Sequence, residues 1–163
     1  MYTLRCCPME NEDELIVSLL RENCRISLTE MSKITKIPIS TIYDKMKNYR
    51  RGIIHKHTAL IDFTQLGFSA RARVLIKVKK TEAQKLREYL SKCPALNELY
   101  KVNNGYDFMA EFIFKTMKEM EEYVDTLGQF CGVEKEEVFY IIDELKREEF
   151  LSKARMLLLE KKR

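Results

Sequence analysis

Along the first third of the chain, apolar residues return at the spacing of one helix face; farther on they switch to strict alternation. Leu15, Ile16, Leu19 and Leu20 recur at one-four-five intervals, the mark of a helix with one buried side. Asn11 or Asp13 can cap its start, and Glu12 and Glu14 suit the positive end of its dipole. That helix is expected over 13–23. Ser27-Leu28-Thr29-Glu30 has the capping-box form and opens a short second helix to Thr35, with Leu28, Met31 and Ile34 inward. Pro38 cannot continue it but suits the first turn of another helix. A third helix is expected over 39–51, with Ile42, Met46 and Tyr49 inward and Gly52 as its terminator.

The run from Ile53 to Ile61 is rich in β-branched residues and reads as extended, and 62–67 reads as a turn. Ala72, Val74, Ile76 and Val78 then alternate, predicting a strand over 70–79 with one face buried. A helix follows from Thr81 to about Cys93, with Ala83, Leu86, Tyr89 and Leu90 inward. Strands are expected over 96–102 and 106–114, joined by the turn residues Asn103-Asn104-Gly105. A helix over 116–130, with Met117, Met120, Tyr123, Val124 and Leu127 inward, leads to a last strand over 138–142. Residues 143–163 read as one more amphipathic helix, striped by Leu145, Phe150, Leu151, Ala154, Leu157 and Leu158.

These patterns predict an α+β chain. A three-helix, winged-type helix-turn-helix domain with its connecting strand would occupy 1–57. A ferredoxin-like βαββαβ domain with an extra C-terminal helix would occupy 58–163. Two helices on one face of a four-stranded sheet leave the other face to be covered. A second copy of the same sheet is the simplest cover, so a homodimer or a higher oligomer is expected.

Charge sharpens this picture. The formal net charge is only +4. Between Asn23 and His57, however, eight Lys or Arg stand against two acids, whereas the remainder from Thr58 is nearly balanced. A basic excess confined to a helix-turn-helix is the footprint of a polyanion-binding segment, and double-stranded DNA is the partner it fits. One helix enters the major groove, and its first turns reach base edges. Ser40, Thr41, Tyr43, Asp44 and Lys47 are the candidate base readers. Arg25, Lys33, Lys36, Lys45, Arg50 and Arg51 are the candidate phosphate contacts, which set register without reading sequence.

Other chemistry finds little support. The five cysteines (Cys6, Cys7, Cys24, Cys93 and Cys131) lack C-x-x-C spacing, so reduced thiols are expected and no structural zinc. His55 and His57 could share one strand face, but two ligands alone make a poor metal site. No paired carboxylates, Ser/His/Asp set or glycine-rich phosphate loop argues for an enzyme, and no cofactor is implied. No apolar run approaches the ~20 residues that span a bilayer, and no signal-peptide core precedes Asp13. A cytoplasmic protein without membrane contact is expected.

Four short motifs, in order, resemble the Lrp/AsnC (feast/famine) family of transcription regulators. They are Asp13-Glu14-Leu15-Ile16 with Asn23-Cys24-Arg25, then Ser40-Thr41-Ile42-Tyr43, Gly52-Ile53-Ile54, and Gly105-Tyr106-Asp107-Phe108. The resemblance covers about 12–142. It implies DNA reading by paired heads, assembly through the C-terminal sheets, and binding of a small effector, often an amino acid, near the glycine-tyrosine-aspartate turn. By position that points to Asn103, Asn104, Gly105, Tyr106 and Asp107. The chain departs from the family pattern at Lys36, where glycine is usual, and at Pro38, where serine is common. Some haem-pathway decarboxylases resemble the same family and use histidine and arginine near a tetrapyrrole. An effector-sensing assembly protein with a vestigial head is a second alternative.

Overall fold

The computed structural model describes residues 11–130, 132–152 and 154. They form two compact units. One takes the described residues up to Ala59 together with those from Leu145 onward; the other is Leu60–Glu144.

The first unit is a three-helix head. Helix α1 runs Asn11–Glu22, α2 Leu28–Thr35 and α3 Ile39–Tyr49. The apolar faces converge as their spacing requires: Leu15, Ile16, Leu19 and Leu20 pack with Met31, Ile37, Ile42 and Tyr49. Burying this set removes whole side chains from water, at roughly 1.5–3 kcal/mol for each large residue. Ser27 caps α2 as the sequence predicts, its Oγ accepting from the Glu30 N–H at 3.1 Å. Ile34 differs from expectation: it lies on the outer side of α2 and is exposed.

The turn between α2 and α3 is tied by hydroxyls. The Ser32 hydroxyl donates to the Ile37 carbonyl at 2.6 Å. The Thr35 hydroxyl donates to the Met31 carbonyl at 2.8 Å and accepts from the Ile37 N–H at 3.2 Å. Lys36 ends α2 in the left-handed region, with φ 63°. A side chain there costs about 1–2 kcal/mol relative to glycine, which gives a physical reason for glycine in the family pattern.

Two features of the predicted head are absent. Helix α3 ends at Tyr49, and Gly52 sits in the following turn without a positive φ, so it is not a left-handed cap. The run 54–61 pairs with no strand, and no wing forms among the described residues of the head. It has β-branched side chains, but no strand edge among the described residues supplies its hydrogen bonds.

The second unit is a four-stranded antiparallel sheet with two helices. Strand β1 is Ala70–Val78, α4 Ala83–Ser91, β2 Leu96–Lys101, β3 Phe108–Phe114, α5 Met117–Gly128 and β4 Val133–Tyr140. The strand order β2-β3-β1-β4, with every pair antiparallel, is the ferredoxin-like arrangement. Alternate residues of β1 (Ala70, Ala72, Val74, Ile76 and Val78) meet Phe108, Ala110 and Phe112 of β3 and the inner faces of α4 and α5. The Thr116 hydroxyl caps α5 by accepting from the Glu119 N–H. Met117, expected inward, is exposed on its first turn.

The last strand lies earlier than the periodicity indicates. It opens with Val133-Glu134-Lys135-Glu136-Glu137, the start of an edge strand with polar residues toward water. The expected helix from Asp143 is also corrected. Residues 143–149 are not helical, and left-handed backbone at Glu148 and Leu151 interrupts that path. Ala154 is helical, while Leu157 and Leu158 lie outside the described residues. The segment instead fastens to the head. Arg21 donates from Nη2 to the Glu148 carboxylate at 2.7 Å and carbonyl at 3.0 Å. Glu22 accepts from the Ala154 N–H at 2.7 Å, and the Ala154 side chain is buried in the head core.

Candidate nucleic-acid interface and ligand turn

Helix α3 buries Ile42 and Tyr49 and presents its opposite side to solvent. The helical repeat therefore turns Ser40, Tyr43, Asp44 and Lys47 outward, and all four are exposed, while Thr41 is half-buried. Arg25, Lys33, Lys36, Arg50 and Arg51 are exposed as well. Among the described residues, none of these five cations, nor Lys47, is paired with a carboxylate.

Lys45 departs from the phosphate role expected of it. Its Nζ lies 2.7 Å from Asp13 Oδ1 and 3.8 Å from Glu12 Oε2, and its side chain is largely covered. The Tyr49 hydroxyl donates to the same Asp13 oxygen. The first turn of α1 thus holds Lys45 as a strut between α1 and α3. Nothing in the linear pattern links Asp13 to a lysine 32 positions on.

The loop between β2 and β3 brings the predicted ligand residues together. Asn104 and Gly105 are left-handed, with φ 61° and 91°, and Asn103, Asn104 and Gly105 are exposed. Asp107, however, serves the fold. Its Oδ2 accepts from the Val78 N–H at 3.0 Å and lies 3.0 Å from Lys77 Nζ. The Val78 N–H, then Lys77, hold its carboxyl below the usual carboxylate range despite some desolvation.

Two further residues adjoin this turn. Lys135 Nζ stands 5.1 Å from the centre of the Tyr106 ring and 2.6 Å from Glu137 Oε1. Hydrogen bonds from Lys135 and Tyr106 lower the Glu137 carboxyl pKa. Periodicity alone does not reveal this pair, because it points to a last strand beginning only at Val138, whereas β4 begins at Val133.

On the helix-free face of the sheet, charge is organised differently. Glu111 of β3 is 1 % exposed. Arg71 Nε donates to it, Arg73 Nη2 lies 3.4 Å away, and Asn97 Nδ2 donates at 3.4 Å. Arg71 also pairs with Glu144, and Arg73 approaches Glu98 at 3.7 Å. Burial pushes the Glu111 carboxyl up, but the hydrogen bond and charge of Arg71 outweigh it and leave it lowered.

His55 and His57 are exposed, and no group of three or more His, Cys, Asp or Glu among the described residues is arranged to hold a metal. Cys24 and Cys93 are free; Cys6, Cys7 and Cys131 lie outside the described residues. Among the described residues, no helix is long and apolar enough to cross a membrane.

Comparison with known proteins gives a consistent picture. A family model described as the Lrp/AsnC ligand binding domain matches residues 71–150. The HTH-type transcriptional regulator FL11 of Pyrococcus horikoshii is 34 % identical over 128 residues, spanning 78 % of this chain and 85 % of that protein. Among solved structures, E. coli AsnC superposes with a TM-score of 0.76 at 16 % identity, covering 85 % of this chain and 95 % of that one. The transcriptional regulator NMB0573 of Neisseria meningitidis, solved as a complex with L-Met, gives 0.77 at 21 % identity over 85 % and 93 %. At these identities the two structures share the fold.

Proposed function

The chain belongs to the Lrp/AsnC family of transcriptional regulators, and we propose that it works as a sequence-specific reader of double-stranded DNA. One observation carries this reading: the exposed side of α3 is bordered by cations without carboxylate partners among the described residues. Unpaired, solvated charge of one sign is what releases counterions when a polyanion docks. Ser40, Thr41, Tyr43, Asp44 and Lys47 read base edges, and Arg25, Lys33, Lys36, Arg50 and Arg51 hold phosphates. The three helices, with the segment from Leu145 that fastens to them, act as the reading domain, and Leu60–Glu144 acts as the domain for self-assembly and sensing. The helix-free sheet face is the surface on which a second copy docks, forming a homodimer or higher oligomer.

The ligand turn supports a small effector of amino-acid type. Asn103, Asn104 and Tyr106 offer polar groups, and the backbone at Gly105 is open. Lys135 and Glu137 set opposite charges beside them, a pattern suited to a zwitterion's carboxylate and ammonium. The NMB0573 neighbour was solved with L-Met, a ligand of that charge pattern. Asp107 acts here as a brace for the turn.

The deciding experiment selects bound duplexes from a random pool and titrates the full-length protein against salt. A palindromic motif whose half-sites repeat on a helical turn, bound with an affinity that falls steeply with salt, is expected. Recovery of no motif, with a stable oligomer, would replace this reading with that of an assembly protein carrying a vestigial head.

A further inference from the structure

Two large apolar side chains stand in water on the reading helix. Ile39 is 45 % exposed and Tyr43 58 % exposed. They lie four residues apart, so they share one side of α3 and are separated by about 6 Å along its axis. Exposed cations flank them in the chain, Lys36 before and Lys47 after. Asp44 is the one acid in α3.

A lone exposed leucine or isoleucine is ordinary on a protein surface. This pair differs in its setting, because it forms a small apolar island on a convex, cationic helix. The cations fit a polyanion, which fixes the kind of partner. Along the base edges of the major groove, the apolar group that can meet such an island is the C5 methyl of thymine. Resting on the proposal that α3 reads duplex DNA, we infer that Ile39 and Tyr43 are specificity-determining residues that recognise thymine methyl groups. The 6 Å between them matches about two base-pair steps of 3.4 Å, so each meets a different thymine. Ser40, Asp44 and Lys47 add hydrogen bonds on either side. The preference therefore arises partly from apolar contact, which base-edge hydrogen bonding alone would not supply.

Replacing thymine by deoxyuridine removes the methyl and leaves every base-pairing group in place. A duplex selected from a random pool would carry that change at one thymine at a time within a half-site. Binding of the full-length protein would be followed by fluorescence anisotropy at fixed salt. Losing contact with one methyl weakens binding about three- to five-fold. We expect that loss at two thymines. At one of them Ile39→Ala is indifferent to the change, and at the other Tyr43→Ala is indifferent. Tyr43→Phe, which keeps the ring, retains the sensitivity. Circular dichroism melts confirm that each variant folds, as its exposed position predicts.

A duplex bound tightly and selectively, with every deoxyuridine change neutral, would overturn the inference while leaving DNA reading intact. Sensitivity that persists unchanged in both alanine variants would do the same. Variants that bind DNA normally but alter the oligomer mass would mark the island as a protein contact instead. Failure to select any duplex would remove the reading on which the inference rests.

Discussion

Lys47 and Arg71 carry the same charge and occupy opposite circumstances. On α3 Lys47, and beside it Lys36, Arg50 and Arg51, stand exposed without carboxylate partners among the described residues. On the sheet, Arg71 is held by Glu111 and Glu144, Arg73 by Glu111 and Glu98, and Lys77 by Asp107. Charge neutralised within the chain stiffens a surface and gives it polar addresses. Charge left open costs little in water and remains available for an external anion. The two regions thus divide cations by use, and the division can be tested by moving each toward the other.

The largest effect should follow removal of the buried acid. Glu111→Leu leaves two guanidinium groups beside an apolar side chain and should lower stability by about 2–3 kcal/mol in urea melts, discounted because Arg73 is partly solvated. Adding Arg71→Met should recover much of that loss; if it does not, the cluster is not the closed network described. Next in size is the head. Arg50→Ala with Arg51→Ala should weaken duplex binding about ten-fold or more and reduce the salt slope by about two, leaving the melting midpoint unchanged. An equal loss of stability would mean that these cations hold the head together.

Lys36→Gly sharpens the contrast at one position. It relieves a left-handed backbone and should raise stability by about 1 kcal/mol while lowering DNA affinity through the lost charge. The smallest effect is acid sensitivity. The carboxyl groups of Glu111 and Asp107 are both held below their ordinary range. Their stabilisation is therefore complete above the unfolded-state carboxylate pKa and is lost as pH falls through the lower folded values. The gap in urea midpoint between the wild-type protein and Glu111→Gln should narrow on going from pH 7 to pH 3. A constant gap would show that Glu111 acts through shape alone.

Much of this architecture is readable from periodicity. The alternation in β1 and the repeats in α1 and α5 each have one wet and one dry side, and so announce themselves. The Ser27 cap is equally legible because its partner lies three residues away. What escaped the reading has partners distant in sequence. Lys45 meets Asp13 across 32 positions, and Arg71 meets Glu111 across 40. Strand β4 is obscured by acids that an edge strand tolerates, and this conceals Lys135 and Glu137 beside the β2–β3 turn. Residues 54–61 show the converse: their β-branched composition promises a strand, yet no strand among the described residues pairs with them.

The fastening of Glu148 and Ala154 to α1 bears on the order in which the molecule is made. A ribosome releases the three helices first, yet the side chain of Ala154 and the partners of Arg21 and Glu22 emerge only after the entire sheet unit. N-terminal domains generally fold as they appear. Here the head lacks these contacts until the sheet unit has been made, so a chain cut short before Glu148 would display α3 without the partners of Arg21 and Glu22.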